Sequence, residues 1–287
     1  MRISDILARK QSFSYEIFPP KGELSCDRAA AIVSELKGND PDWVSVTFSA
    51  GGTGNSRHTV EIARRVQDDL GLTSLAHLTC IGASVSDVDG YVARFRQAGI
   101  ENVLALRGDR IPGREPVDFS YASDLISHLK GTGLCIGAAC YPEGHVECES
   151  PTRSMERLKA KQDAGADFLV SQLFFDNELF YRFREAALKA RVKIPIVCGI
   201  MPFTSTKQIQ RMAFTCGATI PSRVIKRLVA VGDDPDDQRR AGVEYACEQL
   251  CDLAGNGVDG LHVYCMNRPD VAKATHDALA GCGYLGA

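Results

Sequence analysis

The sequence carries no excess of charge of either sign: 33 Lys and Arg stand against 36 Asp and Glu, a formal net charge of −3. Without a basic surplus, the chain is not built to neutralise the phosphates of a nucleic acid. No run approaches the roughly 18 apolar residues a membrane helix needs, and residues 1–12 carry charges where a signal peptide would carry an apolar core. A cytoplasmic protein with neither membrane nor nucleic-acid partner is expected. The eleven cysteines are odd in number, scattered from Cys26 to Cys282, and form no C-x-x-C pair. Zinc, iron–sulfur and dithiol chemistry therefore lack their usual signature, and no metal site is expected. Most cysteines should be reduced, buried small hydrophobes. Also missing is a G-x-G-x-x-G after the first predicted strand. Gly51-Gly52-Thr53-Gly54-Asn55 has neither that spacing nor the lysine of a phosphate-binding loop.

What is present is 287 residues of ordinary globular composition, 45% hydrophobic and 24% charged. That length suits two domains or one large α/β barrel. Eight β-rich runs recur: Phe13–Phe18, Trp43–Phe48, Leu75–Cys80, Asn102–Leu106, Leu134–Ala139, Phe168–Leu173, Ile194–Cys198 and Leu261–Tyr264. The first seven start roughly thirty residues apart, the length of a βα unit. Helical periodicity fills the gaps at Arg28–Lys37, Val60–Leu70, Val88–Ala98, Ser123–Lys130, Ser154–Ala164, Leu179–Ala190 and Lys207–Phe214. Gly71, Gly99, Gly131 and Gly165 mark helix exits, and Ser150-Pro151 reads as an N-cap followed by proline at the first helical position. The seventh interval is longer and holds two helical stretches, Arg223–Val231 and Gln238–Leu253, joined by the acidic run Asp233–Asp237, expected to be a solvated loop. A last helix is expected near Val271–Ala280. The pattern predicts a single-domain (β/α)8 TIM barrel over residues 1–287, with extra helices at about 221–254 between strands seven and eight. A doubly wound sheet is the alternative.

In such a barrel the site lies at the C-terminal ends of the strands. Glu16, Thr47, His77 with Thr79, Arg107 with Asp109, Tyr141 with Glu143 and His145, Gln172, Met201, and Tyr264 with Arg268 fall there. A polar group on nearly every strand end suits a pocket for a large polar ligand. Each has a plainer reading. Glu16, between Tyr15 and Ile17 in an otherwise apolar strand, is either a carboxylate paired to a cation or a proton donor whose pKa desolvation raises. His77 is either a satisfied core histidine or a ligand contact. Arg107-Gly108-Asp109 is either an ion pair or two side chains aimed at a ligand across a flexible glycine. Tyr264 and the Phe174-Phe175 pair read as core. Lys161, on periodicity alone, is a solvated surface lysine.

Ten segments give these residues a common context. They are Phe13-Ser-Tyr-Glu-Ile-Phe-Pro-Pro20, Val44-Ser-Val-Thr47, Ala76-His-Leu-Thr-Cys80, Val103-Leu-Ala-Leu-Arg-Gly-Asp109, Tyr121-Ala-Ser-Asp124, Ala139-Cys-Tyr-Pro-Glu-Gly-His145, Lys159-Ala-Lys-Gln-Asp-Ala-Gly-Ala166, Gln172-Leu-Phe-Phe-Asp176, Gly199-Ile-Met-Pro202 and His262-Val-Tyr-Cys-Met-Asn-Arg268. In this order along nearly the whole chain, they resemble the methylenetetrahydrofolate reductase family, in its short bacterial form of a catalytic barrel only. The resemblance implies ping-pong reduction of 5,10-methylenetetrahydrofolate to 5-methyltetrahydrofolate through a flavin, FAD rather than FMN, with NADH or NADPH as donor.

Glu16 matches the family's general acid, needed because the methylene bridge accepts hydride only after its ring opens to an iminium. Asp109 matches the aspartate near flavin and pterin. Thr47, His77, Arg107, Gly108, Asp109, Tyr121, Ala122, Ser123, Tyr141, His145 and Lys161 match flavin-binding positions, which replaces the surface reading of Lys161. Glu16, Thr47, Asp109, Gln172 and Arg268 match substrate-binding positions. Where the family carries a Tyr-Gly-Ala-Asn-like loop, this chain has Phe48-Ser-Ala-Gly-Gly-Thr-Gly-Asn55 and loses the phenol. The resemblance also implies a homo-oligomer and, as in some relatives, an iron–sulfur redox partner. The alternative function is a barrel subunit of a folate-linked methyl-transfer or redox complex that receives electrons from a partner protein.

Overall fold

The computed structural model describes residues 1–19, 25–48, 56–110, 115–148 and 150–285. Eight parallel strands close into a barrel, each hydrogen-bonded to the next in sequence and the last to the first. They are β1 (Ser12–Ile17), β2 (Trp43–Val46), β3 (Thr73–Thr79), β4 (Asn102–Leu106), β5 (Cys135–Cys140), β6 (Phe168–Ser171), β7 (Ile196–Ile200) and β8 (Gly260–Val263). Around them run α1 (Ile3–Leu7), α2 (Ser25–Lys37), α3 (Ser56–Asp68), α4 (Val85–Gln97), α5 (Ala122–Leu129), α6 (Pro151–Ala164), α7 (Asn177–Lys189), α8 (Thr206–Cys216), α9 (Ser222–Val231), α10 (Pro235–Gly255) and α11 (Pro269–Gly281). The barrel expected from the strand spacing is thus the fold observed, and α9 and α10 fill the long seventh connection.

Boundaries move for local reasons. The seventh strand was expected from Ile194, but Pro195 has no N–H to give the ladder, and pairing starts at Ile196. The acidic run is not a solvated loop throughout: Asp234 caps α10, accepting from the backbone N–H groups of Asp236 and Asp237, and Pro235 opens the helix. Acidic residues there also suit the positive end of the helix dipole. Ser150 and Gly165 cap α6 as expected, Ser150 accepting from the Arg153 N–H at 3.2 Å and Gly165 turning at φ 118°. Helix α1, five residues long, carries too little periodicity to be seen in the sequence.

Strand side chains alternate between two environments. One set, including Phe13, Tyr15, Val44, Leu78 and Val263, packs outward against the helices. The other faces the axis, where Trp43, Leu75, Leu104, Phe168 and Val197 form an apolar layer joined by Ile3 and Ile6 of α1. Helix α1 is therefore the floor of the barrel. The cysteines Cys80, Cys140, Cys198 and Cys265 belong to the outward set. One pair departs from the expectation of reduced thiols: α10 packs on α11 and brings Cys251 and Cys282 together as a disulfide, with Cα atoms 6.3 Å apart.

Helix α10 lies against the chain leaving β7, where Gly242 meets Phe203 so closely that a Cβ would collide with its carbonyl oxygen and ring. Gly242→Ala is expected to cost about 1–3 kcal/mol by overpacking. The measurement is a urea melt, with a lower midpoint and an unchanged slope expected; an unchanged midpoint would show that α10 can shift away freely.

Candidate active site

The alternation along β1 gives the site its first component. Ser12, Ser14 and Glu16 occupy the axis side while Phe13, Tyr15 and Ile17 face the helices, so the strand is not otherwise apolar as the sequence suggested. Register sets Glu16 beside Ser45 of β2, and Ser14 beside His262 of β8. The Glu16 carboxylate lies 3.5 Å from Ser45 Oγ, 3.5 Å from His77 Nε2 and 3.7 Å from His262 Nε2. Both histidines are buried, whereas the Glu16 side chain keeps 22% of its surface open, enough to meet a ligand.

Burial pushes the Glu16 carboxyl up, but the neighbouring His262 and His77 and the Ser45 hydroxyl together bring it below the usual carboxylate value. Burial holds His77 down at about 4, so this ring is neutral at pH 7. Of the two readings the sequence leaves open for Glu16, the geometry fits the carboxylate partnered by its neighbours, which hold its pKa below rather than above the usual value. Above it on β3, His77 Nε2 and Thr79 Oγ1 are buried without a hydrogen-bond partner among the described residues. Unpaired polar atoms facing a site are what a bound ligand would satisfy.

The second component is a cavity of about 400 Å³ between the ends of β4 and β5, the start of α5 and one face of α6. Arg107, Tyr121, Ala122, Ser123, Tyr141, His145 and Lys161 line it, whereas Thr47, His77, Gly108 and Asp109 lie outside its walls. Arg153 and Arg157 line it as well, and neither was singled out in the sequence. With Lys161 they stand at i, i+4 and i+8 of α6, a spacing that makes one basic stripe and was available as a signal. Lys161 Nζ donates to the Ala139 carbonyl at 2.6 Å and lies 5.3 Å from the centre of the Tyr141 ring. Burial lowers its pKa to about 8. Arg157 sits over the Tyr121 ring at 5.4 Å.

The Arg107–Asp109 ion pair left open by the sequence is not the arrangement found. Arg107 pairs with Glu147 through contacts of 2.7 and 3.1 Å, while Gly108 turns at φ 89° and Asp109 is exposed. The glycine is required at that turn, since a side chain strains a left-handed backbone.

The remaining predicted residues ring the mouth without touching the cavity. The Thr47 N–H donates to the Ile17 carbonyl, and its carbonyl accepts from the Thr59 hydroxyl, each at 3.0 Å. Gln172 turns its Oε1 back to the Leu173 N–H at 2.8 Å. Arg268 precedes α11, with Nε 3.5 Å from Asp270. Tyr264 donates its hydroxyl to the Ser171 carbonyl at 2.6 Å and stands edge-on to His262. Phe174 and Phe175 are fully buried core, as expected. Of the glycine-rich segment that replaces the family loop, residues 49–55 lie outside the described residues.

Comparison with known proteins adds a finding independent of this geometry. The family model described as methylenetetrahydrofolate reductase matches residues 2–280. Methylenetetrahydrofolate reductase 1 of Schizosaccharomyces pombe is 35% identical over 292 residues, covering 97% of this chain and 48% of that protein. Methylenetetrahydrofolate reductase (NADH) 1 of Arabidopsis thaliana is 33% identical, covering 96% and 48%. The 5,10-methylenetetrahydrofolate reductase of Escherichia coli K12 is 32% identical over 262 residues, covering 91% and 88%. The chain thus spans about half the length of the fungal and plant relatives and most of the bacterial one. Among solved structures, an uncharacterized protein from Clostridium thermocellum, described as binding two copies of 5-methyl-5,6,7,8-tetrahydrofolic acid, aligns over 100% of both chains with a TM-score of 0.66 at 15% identity, a likeness of fold. Because the family match runs from α1 to α11 and takes in every strand, the chain belongs to the methylenetetrahydrofolate reductase family.

Proposed function

We propose that the protein reduces 5,10-methylenetetrahydrofolate to 5-methyltetrahydrofolate, using FAD held in the cavity beside α6 and a nicotinamide dinucleotide as hydride donor. The observation that carries this reading is the family match over residues 2–280, which includes every strand end that opens on the mouth. The donor set of the cavity fits the cofactor. Arg153, Arg157 and Lys161 spread positive charge over about 12 Å of helix, at 1.5 Å per residue, and such a row suits a diphosphate better than a single phosphate. Ala105, Leu106 and Ala139 supply an apolar wall for a planar ring.

A flavin held there by these residues would supply the two-electron chemistry that links the nicotinamide donor to the folate methylene carbon. The residues of the chain do the rest. Lys161, Arg153 and Arg157 bind phosphate oxygens, with Tyr121, Ala122 and Ser123 at the start of α5 beside them. Glu147 fixes Arg107, so its guanidinium reaches a ligand without reordering. Thr47 and Gln172 hydrogen-bond the pterin, and Arg268 meets the anionic tail of the folate. Asp109 binds the pterin edge and adds negative charge near the ring system. Glu16 delivers a proton to the nitrogen that departs from the methylene carbon as the five-membered ring opens.

Two measurements test this reading. Glu16→Gln is expected to leave reduction of the FAD-loaded protein by the nicotinamide intact and to stop its reoxidation by methylenetetrahydrofolate, because only the second half-reaction needs an acid. Stopped-flow absorbance follows both, and equal slowing of the two would contradict the assignment. For the cofactor, Lys161 is charged below about 8 and neutral above. Affinity of flavin-free protein for FAD should therefore fall as pH rises through that value. Lys161→Met should weaken binding about tenfold at neutral pH and flatten the pH dependence; fluorescence titration showing wild-type affinity in the variant would remove Lys161 from the site.

A further inference from the structure

The ladder that fixes β1 is uneven on its two sides. Toward β2 it runs to the pair Ile17 and Val46, and the Thr47 N–H adds a bond to the Ile17 carbonyl. Toward β8 it ends two residues earlier, at Tyr15 and Val263. Glu16, Ile17 and Phe18 therefore leave the barrel with no β8 residue paired to them. Two side chains from the segment after β8 stand in for the missing rungs. The Cys265 thiol, a weak donor, reaches the Glu16 carbonyl at 3.2 Å. Asn267 meets both backbone groups of Phe18: its Oδ1 accepts from the N–H at 3.0 Å, and its Nδ2 donates to the carbonyl at 2.8 Å. That pairing fixes the orientation of the amide, because the reversed amide would set oxygen against oxygen.

The backbone is strained where it makes this contact. Residues 265–268 form a turn closed by the Arg268 N–H on the Cys265 carbonyl at 3.0 Å, and both central residues, Met266 and Asn267, are left-handed, at φ 55° and 56°. Asn visits that region readily and Met rarely. Such a conformation persists only where its surroundings over-determine it, and it gathers at ligand sites. Arg268 comes straight out of the turn and is held extended before Pro269. The Asn267 amide thus joins the segment that carries Glu16 to the segment that carries Arg268.

We infer that Asn267 is a positioning residue of the reaction: by clasping Phe18 it sets the Glu16 carboxyl in register with the folate that Arg268 binds. The inference rests on the folate-reducing function proposed above. Arg268 holds the anionic end of the substrate, and Glu16 serves the nitrogen at the reacting end. Both stand on strand exits whose relative place is set chiefly by one side-chain amide. A residue that served the turn alone would need no contact with β1, since Asn and Gly both enter left-handed turns unaided.

The test compares Asn267→Gly and Asn267→Asp with wild type, each loaded with FAD. Gly accepts the left-handed turn and removes only the clasp. Asp keeps the acceptor for the Phe18 N–H but sets a carboxylate against the Phe18 carbonyl. In stopped-flow, reoxidation at saturating methylenetetrahydrofolate should slow about tenfold or more in both, the scale of a small misplacement of a reacting group. The folate concentration giving half that rate should move by less than about threefold, because Arg268 keeps its turn. Reduction by the nicotinamide, which needs no acid, should be unchanged. A wild-type saturating rate in both variants overturns the inference. So does an effect confined to half-saturation, which would make Asn267 a binding residue, and so does equal slowing of both half-reactions with a lowered urea midpoint, which would make it structural. Independently of turnover, the Phe18 amide should exchange its hydrogen faster in Asn267→Gly than in wild type; equal exchange overturns the contact. Wild-type protein that binds FAD and protects the Phe18 amide but is not reoxidised by the folate would instead overturn the proposed function, and the inference with it.

Discussion

Closing the eight-stranded ladder forces alternate residues of every strand onto a narrow axis from which water is largely excluded, and each polar side chain there needs a partner on a neighbouring strand. At the lower level the side chains are almost all apolar: Leu75, Leu104, Phe168 and Val197 pack with Trp43 on the floor made by Ile3 and Ile6, and the Trp43 indole N–H is left there without a partner among the described residues. One step higher it is met by mutual satisfaction, with Ser14, His262, Ser45 and Glu16 completing one another across β8, β1 and β2. The dry floor keeps the local dielectric low beneath this cluster, so each of its hydrogen bonds has more effect on protonation than the same contact at the surface. The lowered pKa of Glu16 follows from that arrangement rather than from any property of the residue.

The cation row answers to a different period. Arg153, Arg157 and Lys161 share a face because an α-helix returns after about 3.6 residues, whereas Glu16 and its neighbours share an axis because a strand alternates every two. The two regions have opposite electrostatic character. One presents cations to an anionic ligand, and the other holds a carboxylate between imidazoles. The cap at Ser150 and the left-handed Gly165 bound α6 at both ends, and the carbonyl of Ala139 at the end of β5 anchors Lys161. The stripe is thereby tied to the strands that carry the rest of the cavity wall.

Much of this was legible in one dimension. Strand and helix spacing, the caps and the extra helices of the seventh connection come from local chemistry that acts over a few residues, and the structure follows them. The ordered segments from Phe13 to Arg268 also carried the family. What was not legible shares a cause. Ser12, Ser14 and Glu16 alternate strictly with Phe13, Tyr15 and Ile17, but which set faces the barrel axis is fixed only when the strands close. Arg107-Gly108-Asp109 fits an ion pair and two ligand contacts equally well on local grounds, while the partner of Arg107 lies forty positions away at Glu147. Helix α1 and the Cys251–Cys282 pair were invisible because a short helix has no period and a disulfide no local signature.

The sequence by itself therefore determined the barrel, its punctuation, its family and the residue types at the strand ends, because periodicity and capping are properties of neighbours along the chain. Only the tertiary structure decided the surroundings of Glu16 and His262, the partner of Arg107 and the joining of Arg153 and Arg157 to the cavity. Those depend on contacts between β1, β2, β3 and β8, or between loops far apart in sequence. The energy of a buried charge is set by what surrounds it in space, and barrel closure brings those surroundings together.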